Sequence, residues 1–220
     1  MSYLIDIDDT LVSTRKRTQG LWKHVLGCVV PLEEVETLTA RQIFERYATE
    51  EQKPSMRDLQ RRFTETMLCR NVEGVRLMKL DEPIPYAANV LQKWQEEADI
   101  VYITGRLERV REETISQLRR FGFPIEDTEL VMFKEEDWGK GEVGKARKAL
   151  VDKVVGAHSV HRVVDDFPGY FTVYRDYGIP ERIGLLQSKM HQPSDFLEGG
   201  ATKVVKSWTE LVTLNRLHHF

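Results

Sequence analysis

The sequence predicts a doubly wound α/β fold, a three-layer α/β/α sandwich around a parallel sheet, with a helical domain inserted into it. Apolar strands alternate with amphipathic helices after about residue 83, and strands separated by helices pair in parallel through right-handed crossovers. Three strands, beginning near Tyr3, Asp99 and His161, end abruptly in polar residues. The carboxyl ends of parallel strands share one edge of the sheet, where ligands bind in such folds. A functional site is therefore predicted at that edge.

The first strand, within residues 1–11, passes from apolar residues into a group of acids. Asp6, Asp8 and Asp9 follow the apolar stretch that begins at Tyr3. A carboxylate beside a buried strand is costly unless a cation or a reaction partner compensates it. An extended strand end or a turn would in either case gather these carboxylates where Mg2+ finds oxygen ligands.

Residues 12–82 contain no convincing strand and are predicted to form a separate helical domain. Apolar residues recur there at helical spacing, for instance from Ser55 through Met67. The alternation of strands and helices begins only afterwards. The sequence therefore predicts an α/β core domain made of residues 1–11 and 83–220.

The second strand covers residues 99–103 and is followed by Thr104, Gly105 and Arg106. A helical pattern begins near Glu108. A strand, a glycine-containing turn and a helix together place backbone N–H groups and the helix N-terminus against an anion. This segment is therefore predicted to contribute to an anion site.

The remaining core elements follow at spacings typical of the same fold class. They are a strand at 130–133 before Lys134, a helix from Val143 to about Leu150 that includes Lys145, a strand from His161 that ends on Asp165 and Asp166, a short helix near 168–177, a weak strand at 183–186, and a last helix behind a capping box at 207–210.

Composition narrows the class of protein. The formal net charge of the 220 residues is -3, which does not indicate a nucleic-acid-binding protein. Cys28 and Cys69 have no metal-binding or redox spacing and suggest a reducing compartment. The early first strand leaves no room for a signal peptide, and no apolar run approaches the roughly 20 residues of a membrane span. The sequence thus predicts a cytoplasmic protein without a membrane partner.

Four of these segments resemble motifs I to IV of the haloacid dehalogenase superfamily of phosphohydrolases, in the family's order and over nearly the whole chain. The matches are Asp6-Ile7-Asp8-Asp9-Thr10 for motif I, Thr104-Gly105-Arg106 for motif II, Lys145 for motif III and Asp165-Asp166 for motif IV. The helical insertion after motif I resembles the C1-type cap of these phosphatases, a lid over the site.

The resemblance implies a role for each residue. Asp6 would be the nucleophile that forms an aspartyl-phosphate, and Asp8 would be the general acid and then the general base. Mg2+ would be held by the carboxylates of Asp6 and Asp165 and the backbone carbonyl of Asp8, with Asp166 linked through water. Phosphoryl oxygens would be bound by Thr104, Gly105, Arg106 and Lys145.

Several alternatives stay open at this stage. Lys134 competes with Lys145 for the active-site lysine, and a salt bridge to a neighbouring acid competes with phosphate binding for Arg106. The implied function is a Mg2+-dependent phosphatase that acts on a small phosphorylated metabolite. A phosphatase for nucleotides or polynucleotide ends is a second enzyme hypothesis, and a catalytically silent binding protein is the alternative from another class.

Overall fold

The structure is a computed structural model of the chain and describes residues 1–137 and 143–217. It divides the chain into two compact units. We call one the core unit, which comprises residues 1–12, 83–187 and 191–220, and the other the helical unit, which comprises residues 13–82 and 188–190.

The strands and helices alternate in the core unit and only helices lie between the two ends of the long insertion. The strands are β1 Ser2–Asp6, β2 Val12–Ser13, β3 Glu82–Pro83, β4 Asp99–Leu107, β5 Glu129–Phe133, β6 Val160–Asp165, β7 Glu181–Leu185 and β8 Lys203–Val205. The helices are α1 Arg15–Leu26, α2 Leu32–Thr37, α3 Ala40–Tyr47, α4 Met56–Met67, α5 Val72–Leu77, α6 Ala87–Trp94, α7 Arg111–Arg120, α8 Val143–Ala157, α9 Phe171–Asp176, α10 Pro193–Gly199 and α11 Trp208–Leu217.

The described part of the core unit has a six-stranded sheet in the order β5-β4-β1-β6-β7-β8. Every pairing in it is parallel. The strand order runs outward from β1 in both directions, so β1 lies at the switch point, with β4 and β6 as its neighbours. This is the doubly wound α/β sandwich that the sequence predicted.

Helices cover both faces of the sheet. Side chains alternate between the two faces along β1, so the partners of each side chain identify the helix on that face. Tyr3 packs edge-on against Trp94 of α6, with ring centroids 5.4 Å apart, and Trp94 lies 5.6 Å from Trp208 of α11. Asp6, on the opposite face of β1, is hydrogen-bonded to Arg147 of α8. Helices α6 and α11 therefore share one face, and α8 lies on the other.

Three features of the core differ from the sequence prediction. Strand β4 continues through Gly105 to Leu107 instead of turning, and its register against β5 shifts between Ile103 and Leu107. Helix α8 extends about two turns beyond Leu150, to Ala157. Strand β8 and helix α10 were not predicted, because three-residue and seven-residue elements carry little periodicity.

The helical unit has its own apolar core around Trp22. The rings of Phe63 and Phe44 lie 4.2 and 5.0 Å from the Trp22 ring, and an ion pair of 3.1 Å joins Arg17 to the buried Asp81 near the other end of the insertion. The two-residue strands β2 and β3 pair with each other in a separate two-stranded sheet. The role of residues 12–82 as a cap stays a prediction. Among the described residues, no helix combines the length and apolar character needed to span a membrane.

Candidate active site

The carboxyl ends of three adjacent strands bring the predicted polar residues together. Asp6 is the last residue of β1 and Asp165 the last of β6. Asp6 pairs with Ile103 of β4, the residue before Thr104. All three side chains are buried, with relative exposures of 6% for Asp6 and 0% for Thr104 and Asp165. Apolar strands that end on polar residues thus deliver these groups to one edge of the sheet, as the sequence predicted.

A tight loop follows β1 and orients the next acids. The carbonyl of Ile7 accepts hydrogen bonds from the N–H groups of Leu11 and Val12, at 2.8 and 3.1 Å. Asp9 adopts a left-handed conformation with φ 55°, which glycine adopts freely and which aspartate tolerates better than most residues. Asp9 therefore lets the chain turn sharply between β1 and β2.

Arg147 of α8 links the two buried strand-end acids. Its Nη2 donates to Asp6 Oδ1 at 2.8 Å and also to Asp165 Oδ2. The side chain is 1% exposed, and its guanidinium lies over the ring of Tyr170, 4.6 Å from the centroid. Among the described residues, the cation that contacts both buried acids is therefore an arginine two residues beyond the predicted lysine.

Asp165 is surrounded by hydrogen-bond donors. Phe167 N donates to its Oδ1 at 2.9 Å, and Tyr174 OH donates to its Oδ2 at 2.5 Å, beside the bond from Arg147. Burial raises the pKa of Tyr174 well above its ordinary value, so the phenol stays protonated and remains a donor. A carboxylate has about four lone-pair sites, and these three donors leave Asp165 little capacity for another partner.

Asp166 accepts weaker hydrogen bonding than Asp165, the other acid of the pair. Thr10 Oγ1 donates to its Oδ1 at a long 3.4 Å, and the side chain is only partly buried. Carboxylate oxygens of Asp6, Asp165 and Asp166 lie within 4.8 Å of one another. The resemblance implied a direct metal contact for Asp165 and a water-linked one for Asp166, and the hydrogen bonding makes Asp166 the more available ligand of the two.

The electrostatics of the three acids fit a cation. Burial raises the pKa of the Asp6 carboxyl well above its usual range, and repulsion from Asp165 raises it further against the opposing effect of Arg147. Burial, followed by repulsion from Asp6 and Asp165, likewise raises the pKa of Asp166. A bound cation would relieve this repulsion and favour the ionised forms, and carboxylate oxygens of this kind suit Mg2+.

Asp8 is held by two residues of β4. Its carboxylate is paired with Arg106, with Nη2 of the arginine 2.7 Å from Oδ1, and Thr104 Oγ1 donates to Oδ2 at 3.4 Å. Its side chain is 30% exposed, which is more than that of Asp6. Asp8 therefore lies beside the buried acids with one edge accessible to solvent, while the metal role predicted for its backbone carbonyl stays a prediction.

The predicted phosphate-binding residues fall into two groups. Thr104, Gly105 and Arg106 lie together in the irregular last part of β4, and Thr104 Oγ1 accepts from Arg106 N at 3.2 Å. Lys145 is exposed on α8, and Lys134 is 60% exposed, 4.0 Å from Glu136. Neither lysine makes the contacts to the strand-end acids that Arg147 makes.

Sequence reasoning missed Arg147 and Tyr174. A signal for Arg147 was available, because Leu150, Val151 and Val154 form the buried stripe of α8. One turn back from Leu150 and Val151, that stripe falls on Arg147 and not on Lys145. Tyr174 carried no comparable signal, since its hydrogen bonds to Asp165 and Arg147 depend on tertiary packing alone.

The fold is shared with solved hydrolase structures. A haloacid dehalogenase-like hydrolase from Streptococcus pneumoniae is 12% identical, with a TM-score of 0.64 over 97% of both chains. A candidate phosphatase from Clostridium difficile is 14% identical, with a TM-score of 0.66 over 97% of both chains. A HAD family hydrolase from Deinococcus radiodurans R1, with bound phosphate and sodium, is 17% identical, with a TM-score of 0.57 over 96% of this chain and 92% of its own. No protein-family model and no curated protein sequence matches the chain. The chain therefore has the fold of the haloacid dehalogenase-like hydrolases, as its four sequence motifs predicted.

Proposed function

We propose that this protein is a Mg2+-dependent phosphomonoester hydrolase that acts through an aspartyl-phosphate on Asp6. One observation carries the proposal. Asp6 is a buried carboxylate at the carboxyl end of the central strand, next to two further acids and in contact with Arg147. A nucleophile in that position meets a phosphoryl group where cationic charge offsets the repulsion between the two anions.

The residues support a two-step reaction. In the first step an oxygen of Asp6 bonds to phosphorus, the bond from phosphorus to the leaving oxygen breaks, and Asp8 gives that oxygen a proton. In the second step Asp8 takes a proton from a water molecule, the water oxygen bonds to phosphorus, and the bond to Asp6 breaks. Phosphate and the free carboxylate are released, so the enzyme returns to its initial state.

Mg2+ fits the acid cluster and would be held by Asp6 and Asp166, with Asp165 beside them. When bound, it would neutralise charge on the phosphoryl oxygens. Thr104 and the Gly105 backbone are proposed to hold the phosphoryl group, because they lie at the same strand end as Asp6. Lys145, which is exposed on α8, stays a proposed phosphate ligand.

The proposed substrate is a small phosphorylated metabolite. The likeness in fold to a hydrolase described with bound phosphate is compatible with this, and the net charge of -3 gives no electrostatic reason for a polynucleotide. A panel that contains sugar phosphates, nucleoside monophosphates and a 3′-phosphorylated oligonucleotide separates the metabolite proposal from the nucleotide one.

Hydrolysis of p-nitrophenyl phosphate is the direct test of the function. We expect turnover with Mg2+, loss of turnover with EDTA, and recovery when excess Mg2+ is added. Ca2+ should support the reaction poorly, because its larger and looser shell holds nucleophile and phosphate less well in line. Full activity in EDTA would exclude the proposed metal role, and no turnover on any ester of the panel would exclude the function.

Thermal unfolding tests the metal site without any substrate. We expect Mg2+ to raise Tm by several degrees, because a ligand at a hundred times its Kd stabilises by about 2.7 kcal/mol, and about 1 kcal/mol shifts the Tm of a domain of this size by roughly 2–4 °C. Asp166→Asn should remove most of the shift.

Asp176→Asn is the matched control for that measurement, since Asp176 is 70% exposed and paired with Arg175 on the surface. It should leave the Mg2+ shift unchanged. An undiminished shift in Asp166→Asn would place the cation elsewhere.

A further inference from the structure

Arg106 is a buried arginine at the edge of the candidate active site. Its side chain is 4% exposed, although it lies in the last part of β4 among residues predicted to bind phosphate. A guanidinium is rarely buried unless its donors are satisfied. The partners of Arg106 therefore indicate what it does.

One side of the guanidinium is paired with Asp8 in a fork. Nη2 donates to Asp8 Oδ1 at 2.7 Å, and Nε donates to Oδ2 at 3.0 Å. Two parallel charge-assisted bonds fix the orientation of a carboxylate as well as its position. Thr104 Oγ1 adds a weaker bond to Oδ2 at 3.4 Å.

The other side of the guanidinium is attached to helix α7. Nη1 donates to Gln117 Oε1 at 2.8 Å and to Thr114 Oγ1 at 3.2 Å. Both acceptors are buried residues of the helix. Arg106 therefore joins Asp8, which lies on an irregular loop, to a rigid element of the core unit.

This arrangement leaves little of Arg106 for a substrate. A guanidinium has five N–H donors, and the bonds to Asp8, Thr114 and Gln117 use at least four of them. Bidentate binding of a phosphate needs two free parallel donors on an accessible edge. The buried position of Arg106 provides neither.

We infer that Arg106 is a positioning residue that acts through Asp8. It holds the Asp8 carboxyl group, protonated before the first step and ionised after it, where a proton passes to the leaving oxygen and later from water. The inference rests on the proposed function. A misplacement of about 1 Å in such a group costs about 100-fold in rate. Replacing Arg106 should therefore slow the reaction only through its effect on Asp8.

A double-mutant cycle on kcat/KM tests this inference. With a glycerol phosphate, whose alkoxide leaving group needs a proton, we expect Asp8→Asn to lose about 10²- to 10⁴-fold and Arg106→Met to lose about 10- to 100-fold. In the Asp8→Asn background, Arg106→Met should cost less than about 3-fold more, because two changes in one coupled unit are not additive. Multiplicative losses would overturn the inference in favour of a direct contact with phosphate.

Leaving-group dependence provides a readout that a merely structural role would not move. kcat/KM reports the steps up to departure of the leaving group, and p-nitrophenolate departs without help from an acid. Arg106→Met should therefore lose much less kcat/KM on p-nitrophenyl phosphate than on the glycerol phosphate, and Asp8→Asn should show the same pattern. An equal loss on both esters would contradict the inference.

Two further variants keep the test decisive. If Arg106→Met does not fold, Gln117→Leu loosens the same arginine without removing it, and its smaller loss should also disappear in the Asp8→Asn background. Arg119→Met is the control on the same helix as Gln117. Arg119 is exposed and paired with Glu126, so this variant should behave as wild type. Failure of the proposed function is distinguishable, because wild type would then hydrolyse neither ester.

Discussion

Asp6→Asn is expected to reduce phosphate-ester hydrolysis by roughly four orders of magnitude or more, the scale on which removal of a covalent nucleophile acts. The amide has the shape of the carboxylate but is a very poor nucleophile and a weaker ligand for a hard cation. Steady-state turnover of p-nitrophenyl phosphate measures the loss. Acid-quenched wild-type enzyme should carry a phosphoryl group on the peptide that contains Asp6, and the variant should carry none.

The fold of this variant should survive, so that the loss is chemical. A neutral amide no longer repels Asp165, whose charge contributes to the raised pKa of Asp6, and Tm in EDTA is therefore not expected to fall. Asp99→Asn is the matched control, because Asp99 is an exposed acid at the opposite end of the neighbouring strand. Near-wild-type turnover in Asp6→Asn would refute the covalent mechanism.

The strand ends that form the site were predictable from sequence, because short local patterns mark where a strand stops. An apolar run that stops at Asp6 or Asp165 marks a strand end directly, and the parallel order of the strands places such ends at one edge. Both acids and Thr104 accordingly lie where they were expected. Elements whose existence depends on neighbours, such as the three-residue strand β8, carried no such signal.

The course of β4 shows why one local signal failed. Gly105 indicated a turn, since glycine commonly interrupts strands. In the structure the chain continues to Leu107, which pairs with Phe133 of β5, and a short turn of 3₁₀ helix precedes α7. Long-range strand pairing outweighed the local preference, and it also directed Arg106 into the core beside Asp8.

Side-chain partners were the least predictable part of the site. The resemblance to motif III implied a lysine on the helix before β6, but two helical positions decide which residue of that helix faces the sheet. Lys145 and Arg147 lie about 200° apart around a helix axis, so only one of them faces the sheet. The apolar stripe of α8 selects Arg147.

Arg147→Met is expected to affect both stability and activity strongly. Burial alone would lower the pKa of Arg147, but Tyr174, Asp165 and Asp6 more than offset this and raise it, so the guanidinium is fully charged. Removing one partner of a buried ion pair costs about 3–5 kcal/mol, because the remaining charges are left uncompensated. Urea unfolding in EDTA measures this loss, and phosphatase assays should show at least about a 100-fold decrease in turnover.

Arg147→Lys separates charge from geometry. The lysine ammonium is a single compact group without the planar fork of a guanidinium. It cannot bond Asp6, Asp165 and Tyr174 together as the guanidinium does. This variant should therefore recover part of the stability and only a small part of the turnover. Lys148→Met is the matched control on the same helix, since Lys148 is 58% exposed and paired with Asp152.

The Mg2+ dependence of Tm gives a further test of the role of Arg147. With Arg147 replaced by methionine, the three acids lose their guanidinium counter-charge, so the rise in Tm on adding Mg2+ should be larger than in wild type. Lys145→Met tests the residue that the motif pattern favoured: a loss of turnover comparable to that of Arg147→Met would return the motif III role to the lysine. The contacts of Arg147 with Asp6 and Asp165 lead us to expect the opposite order, because only a cation in contact with both carboxylates can hold them together at the nucleophile.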